Sequence, residues 1–235
     1  MFGTLFKSLL AFFYPACCIG CGRELMAGEG LLCADCIGQL PYIGNEDSPC
    51  NPVFANIAGR VPVLFAGAVF DFKKKGIIQH LLHELKYNHR PEIGVFLGRI
   101  AGERLRGSSC FLPPDYIVPV PMHPRKEKKR GYNQSLRIAE GFREFFPEAG
   151  IEKDLLEKRH GSESQTRKNR VSRWENVKTA FCLCDAARRE ARFEGKHFLI
   201  IDDVFTTGAT VESCARQILQ IPDARVSVLT MATPV

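Results

Sequence analysis

No run of apolar residues in this 235-residue chain is long enough to span a membrane. The apolar stretch at residues 9–14 is short and follows a single basic residue, Lys7. Tyr14 and Pro15 fit poorly before a lipidated cysteine, which argues against a lipoprotein signal ending at Cys17. Phe2, Leu5, Phe6, Leu9, Leu10 and Phe13 instead follow one-face helical spacing. They predict a short amphipathic helix packed on the protein or on a partner, in a cytoplasmic protein. Strong charge is also missing. A net +6 with 25% charged residues does not by itself indicate nucleic-acid binding. Nor do the ten cysteines form a disulfide framework, because Cys17, Cys18, Cys21, Cys33 and Cys36 crowd into one segment while the rest scatter. That distribution fits a reduced compartment and a metal site. A chain of this length, 45% hydrophobic, has room for one good-sized α/β domain and a small appendage.

The most informative stretch is FLIIDDVFTTGATV, residues 198–211. Phe198, Leu199, Ile200 and Ile201 form the short apolar run of a buried parallel strand. Asp202 and Asp203 stand at its carboxyl end. Thr206, Thr207, Gly208, Ala209 and Thr210 then make a turn into a helix marked by Val211, Ala215, Ile218 and Leu219. Gly208 allows close backbone approach, and the amides of a helix start attract an anion. The threonine hydroxyls add donors, and the two carboxylates suit vicinal ribose hydroxyls. Asp and Thr are also ordinary capping residues, yet a plain turn gains nothing from two adjacent, mutually repelling carboxylates. The element therefore asks for a sugar phosphate.

Cys18-Ile19-Gly20-Cys21-Gly22 is a tight knuckle, and Cys33-Ala34-Asp35-Cys36 supplies a second pair. Two CxxC pairs match a tetrahedral structural zinc site held by Cys18, Cys21, Cys33 and Cys36. Cys17 could stand in for Cys18, but the spacing favours Cys18. Residues 41–60, rich in Asn, Pro, Gly and acids, read as a linker. Domains are expected at residues 1–60, carrying the helix, zinc module and linker, and at residues 61–235.

In the larger domain, residues 61–72 read as a strand and residues 73–76 as a turn. Two helices follow, one with Ile77, Ile78, Leu81, Leu82 and Leu85 inward, the other with Ile93, Phe96, Leu97 and Ile100 inward. His80, His83 and Glu84 read as a solvated face rather than as ligands. Residues 115–121 form a second strand ending in prolines, followed by a basic turn and a helix with Leu136, Ile138, Ala139 and Phe142. Residues 159–174 are basic without apolar periodicity, as a mobile loop would be. Residues 179–184 alternate as a strand, and residues 226–231 close the chain with another.

The stretch around Asp202 and Asp203 resembles the signature of type I phosphoribosyltransferases for 5-phosphoribosyl-1-diphosphate (PRPP). The resemblance implies an α/β fold, a parallel sheet flanked by helices, with Asp202 and Asp203 as catalytic residues on the ribose hydroxyls. It gives Thr206, Thr207, Gly208, Ala209 and Thr210 the 5-phosphate. Phe205 departs from the small or aliphatic residue usual there, which would narrow the loop. The turn with Pro121, His123, Arg125 and Arg130 would then meet pyrophosphate, and the loop with Gln165, Arg167 and Arg173 would be the lid. Mg²⁺ would accompany the diphosphate. Across nearly the whole chain the order of parts is similar to the ComF family. Its marks are the cysteine knuckles, Leu85-Lys86-Tyr87, the VPVP strand with Arg130-Gly131-Tyr132-Asn133-Gln134-Ser135, Gln165-Thr166-Arg167, Arg173, Asn176, Phe181 and IIDDVFTTGAT. That family is associated with natural transformation and imported single-stranded DNA, which implies single-stranded DNA and a DNA-uptake helicase as partners. Three readings stay open: a transferase acting on PRPP, a sensor of PRPP or another ribose 5-phosphate, and a DNA-binding module. Few aromatics beyond Tyr132 and Trp174 interleave with the basic residues, which weakens the last.

Overall fold

The computed structural model describes residues 16–44, 51–158, 181–185 and 190–234. The amphipathic segment before residue 16, Cys50, and the loop carrying Gln165, Arg167 and Arg173 lie outside the described residues.

Strands β1 (Phe65–Asp71), β2 (Tyr116–Pro119), β3 (Gly150–Ile151), β6 (His197–Val204) and β7 (Arg225–Thr233) form one sheet in the order β1-β7-β6-β2-β3. Every pairing in it is parallel. A hairpin of β4 (Leu156–Lys158) and β5 (Phe181–Leu183) stands apart as an antiparallel pair. Alternate residues of the central strands serve opposite cores. Ile117, Leu199, Ile201, Leu229 and Met231 face one side, while Val118, Phe198, Ile200, Val226 and Val228 face the other. Burial on both faces explains why β6 reads as a continuous apolar run rather than an alternation.

Helices α3 (Ile77–Tyr87), α4 (Pro91–Arg106) and α6 (Gln134–Arg143) cover the first face, and α2 (Pro52–Ile57) and α7 (Ala209–Ile218) cover the second. On α4 the deepest residues are Ile93, Leu97, Ala101 and Leu105, with Phe96 and Ile100 only half-buried. The inward stripe is thus shifted from the expected one, because Gly94, Gly98 and Gly102 let α6 lie directly on the α4 backbone. A Cβ on Gly98 would stand 2.0 Å from Ile138 O, and one on Gly141 of α6 would stand 2.0 Å from Val95 O.

Two further elements differ from the sequence expectation. Residues 52–57, placed within a linker, form α2: Asn51 accepts from Phe54 N, Pro52 opens the helix, and Asn51 Nδ2 donates to Ala66 O. The basic turn is α5 (Pro124–Arg130), capped by His123 and closed by Gly131 in the left-handed conformation.

The amino-terminal cysteine module, with the short helix α1 (Ala34–Gly38), joins the first core through Cys18, Leu32, Cys33 and Leu40. Gly20 approaches Ile77 at the start of α3 so closely that a Cβ would lie 2.8 Å from its Cδ1.

From β2 the chain turns toward β3, and from β6 it turns toward β7. The direction of connection reverses between β2 and β6, and in open parallel sheets the carboxyl ends of the strands at such a point are where ligand crevices form.

Candidate functional site

The acidic pair stands at this carboxyl edge of the sheet. Asp202 and Asp203 end β6 and are both buried, at 8% and 7% exposed. Asp202 Oδ1 accepts from the Asp203 amide at 2.9 Å and from Ser135 Oγ at 3.1 Å, so the first turn of α6 steadies it. Burial first, then the charge of Asp203, pushes the Asp202 carboxyl up to about 7. Asp203 Oδ2 pairs with Lys86 Nζ at 2.8 Å and has no other polar partner among the described residues. One carboxylate is therefore tied by the protein, and the other presents an oxygen held only by a lysine.

Thr206 and Thr207 are exposed, Gly208 is buried, and Ala209 and Thr210 are half-buried. Gly208 has φ 74°. It also has no room for a side chain: a Cβ would be 2.6 Å from Phe205 Cζ and 2.8 Å from Arg60 Nη2. Phe205 is itself buried, 3% exposed, with its ring under the turn. No side chain caps the start of α7 at Gly208, and Thr207 Oγ1 reaches the Ala209 amide only at 3.4 Å. The first amides of the helix thus carry no side-chain cap.

Sequence reasoning missed the residues that brace this turn. Arg60 donates to Thr207 O at 2.9 Å and to Glu212 Oε2 at 3.0 Å. Arg216 joins Glu212 at 3.0 Å and Arg60 O at 2.7 Å. Ser135 and Lys86 were likewise given no role. Nothing local marks Arg60 or Arg216, and the family resemblance includes Lys86 and Ser135 without a role, because each meets the site across the fold.

The residues expected to meet pyrophosphate divide. Arg130 lies beside the acidic pair's lysine: Lys86, Tyr87, His89, Lys126, Lys129 and Arg130 line one pocket of about 250 Å³. The Arg130 guanidinium stands 5.9 Å from the centre of the Tyr87 ring. His123 and Arg125 do not line it; His123 Nδ1 accepts from the Arg125 amide as the α5 cap. Pro121 lines a separate cleft of about 570 Å³ with Met122, Asn133, Leu136 and the β4 residues Glu157 and Lys158. Tyr132 hydroxyl donates to Leu85 O at 2.5 Å, and Asn133 Nδ2 to Val120 O at 3.0 Å. These two bonds fix the ends of α3 and β2 around the crevice.

A second centre lies in the cysteine module. The Sγ atoms of Cys18, Cys21, Cys33 and Cys36 all fall within 4.8 Å of one another. Cys21 Sγ and Cys33 Sγ are 3.7 Å apart. Four sulfurs each about 2.3 Å from a tetrahedral zinc would be roughly 3.8 Å apart, so the cluster fits that ion. Cys17 is exposed and outside the cluster, as the CxxC spacing implied. Burial opposes a Cys18 thiolate, but amides of Cys33, Cys21 and Gly20 outweigh it and bring the thiol down to about 6. Burial lifts Cys36 well above the usual thiol range. Glu29 organises the knuckle from outside. It accepts from Met26 N and Ala34 N at 2.8 Å each and pairs with Arg23 at 2.9 Å.

No helix among the described residues is long and apolar enough to cross a membrane. No protein-family model matches the chain. Individual relatives do. The DNA utilization protein YhgH of Salmonella typhimurium is 32% identical over 151 residues, 63% of this chain and 63% of that protein. Competence protein F of Haemophilus influenzae is 25% identical over 217 residues, 87% of this chain and 91% of that protein. Competence protein ComFC of Bacillus subtilis is 31% identical over 104 residues, 44% of this chain and 38% of that protein. The match to YhgH thus spans under two thirds of its length.

Proposed function

We propose that this chain, which belongs to the ComF family, binds PRPP at the carboxyl end of β6 and serves the competence and DNA-utilization work for which its relatives are named. One observation carries the reading. A buried acidic pair, with one oxygen unbonded except to Lys86, stands beside an uncapped helix start that only glycine can form. Acceptors for ribose hydroxyls and donors for a 5-phosphate then sit on successive residues of one turn.

In this reading Asp203 accepts the ribose hydroxyls and Asp202, tied by Ser135, holds Asp203 in place. Thr206 to Thr210 hold the 5-phosphate, and Arg60 keeps the loop in shape. Mg²⁺ carried in with the diphosphate would supply charge neutralisation of the leaving group, while Arg130 and its lysine neighbours face it from the protein. Transfer forms a bond from a nitrogen acceptor to ribose C1 as the bond from C1 to the diphosphate oxygen breaks, and pyrophosphate carries away the electron pair. The protein's part is positioning and charge stabilisation. Gln165, Arg167 and Arg173 are proposed for the lid. Cys18, Cys21, Cys33 and Cys36 would hold one structural zinc, a closed shell without an open position for catalysis. Imported single-stranded DNA and a DNA-uptake helicase are the proposed partners.

Calorimetry with PRPP and Mg²⁺ tests the reading. Binding is expected, and Asp203→Asn should weaken it by about 1.5–3 kcal/mol, the worth of a charge-assisted hydrogen bond. Release of pyrophosphate with a nitrogen acceptor distinguishes transfer from sensing. No affinity for PRPP or ribose 5-phosphate overturns both and leaves the DNA-binding module.

A further inference from the structure

Lys86 stands on the wall between two regions of opposite charge. On one side is Asp203 Oδ2, 2.8 Å away, with side chains 25% and 9% exposed. On the other is the 250 Å³ pocket of Tyr87, His89, Lys126, Lys129 and Arg130, which no carboxylate lines. The backbone leaves Lys86 little choice of place: it lies in the last turn of α3, whose Leu85 carbonyl is held by the buried Tyr132 hydroxyl. Its ammonium can reach either side by rotating a four-carbon stem. It sits on the oxygen that a ribose hydroxyl would need.

We propose that Lys86 makes the site selective for ribose 5-phosphates that carry a 1-diphosphate. This deepens the PRPP reading and rests on it. A diphosphate entering the basic pocket offers Lys86 a partner with more negative charge than Asp203. Lys86 exchanges partners, and Asp203 is released to the ribose. A ribose 5-phosphate without the diphosphate brings no such partner and must displace Lys86 from a buried carboxylate, which leaves two charges poorly compensated. Discrimination then comes from a repulsive element, the occupied oxygen, as well as from attraction to the phosphates. Lys86 is a specificity residue touching the ligand only after the exchange.

The test compares PRPP with ribose 5-phosphate, each with Mg²⁺, in wild type, Lys86→Met and Lys86→Arg. In Lys86→Met, PRPP affinity should fall roughly tenfold or more, as a charge-assisted contact is lost. Ribose 5-phosphate should bind several-fold tighter, because nothing has to leave Asp203. Lys86→Arg, which keeps the charge, should restore preference for PRPP. In wild type, pyrophosphate should tighten ribose 5-phosphate binding, and Lys86→Met should abolish that coupling. Ribose 5-phosphate that binds no tighter in Lys86→Met overturns the exchange, because a residue that merely attracts the diphosphate would weaken PRPP alone and one that supports the fold would weaken both. Wild-type protein that binds neither ligand overturns the PRPP reading itself, a result distinct from binding without discrimination.

Discussion

At the scale of single residues, Asp202 sets a pH dependence. Its carboxyl is raised from the ordinary 3.8 to about 7, by burial first and then by the charge of Asp203. The groups facing it are Asp203, Lys86, the Ser135 hydroxyl and the buried Cys214 thiol. The folded chain therefore holds a proton that the unfolded chain releases at lower pH. Ionising Asp202 in the fold opposes folding, so its stability contribution is best near pH 4, declines as pH rises, and is lost above about 7. Asp202→Asn should raise Tm at pH 8, by about 2–4 °C for each kcal/mol regained. The gap should narrow as pH falls through about 7 and close only below the unfolded value of 3.8; thermal melts showing a constant gap from pH 8 to pH 4 would contradict the assignment. Gly208 gives a second residue-scale expectation. Gly208→Ala puts a Cβ into the left-handed conformation and against Phe205 and Arg60. It should cost about 1–3 kcal/mol in denaturant unfolding and weaken ribose 5-phosphate binding.

At the scale of elements, the α4–α6 contact is the tightest in the molecule's described part. Gly98 and Gly141 bring the two helices together backbone to backbone, and a methyl group at either place would stand 2.0 Å from a carbonyl oxygen. Gly98→Ala should destabilise by about 1–3 kcal/mol or more, the range for an overpacked core. Gly107→Ala, where nothing lies within 4 Å, should change little. Because α6 begins with the Ser135 that steadies Asp202, the Gly98 variant should also lose PRPP affinity. Urea titrations of the two variants, read beside calorimetry, check both parts.

At the scale of the whole molecule, the cysteine module is joined to the main core rather than hung from it. Cys18, Leu32 and Leu40 pack in the same cluster as Phe70, Leu81 and Leu85. With zinc bound as proposed, its removal should reach beyond the module. Elemental analysis should find one zinc per chain, and a strong chelator should lower Tm and loosen α3, which carries Lys86. Cys33→Ser should lose the metal, since Cys33 Sγ stands at the centre of the knuckle contacts. Zinc content unchanged in that variant would remove the assignment.

The sequence by itself determined whatever is written in neighbouring residues. The buried strand at residues 198–201 with its acidic end, the glycine turn and the two CxxC pairs were all legible, because strand ends, glycine turns and paired cysteines are local devices with fixed spacing. The parallel sheet flanked by helices was what the resemblance implied, and the continuous apolar run at residues 198–201 agreed with a buried parallel strand. Only the tertiary structure decided which distant groups complete each device. Arg60 braces the turn around Thr207, Ser135 ties Asp202, and Lys86 occupies Asp203. Lys86 and Ser135 lie in stretches that resemble the family, but neither their partners nor the role of Arg60 could be read in advance, because a lone arginine, serine or lysine carries no spacing signal for what it meets across the fold. Residues 52–57 looked like linker by composition and became a helix because β1 and its neighbours offered Val53 and Ile57 a face to bury. The glycines of α4 weaken a helix in isolation, and only the carbonyls of α6 lying against them explain why no larger residue fits there.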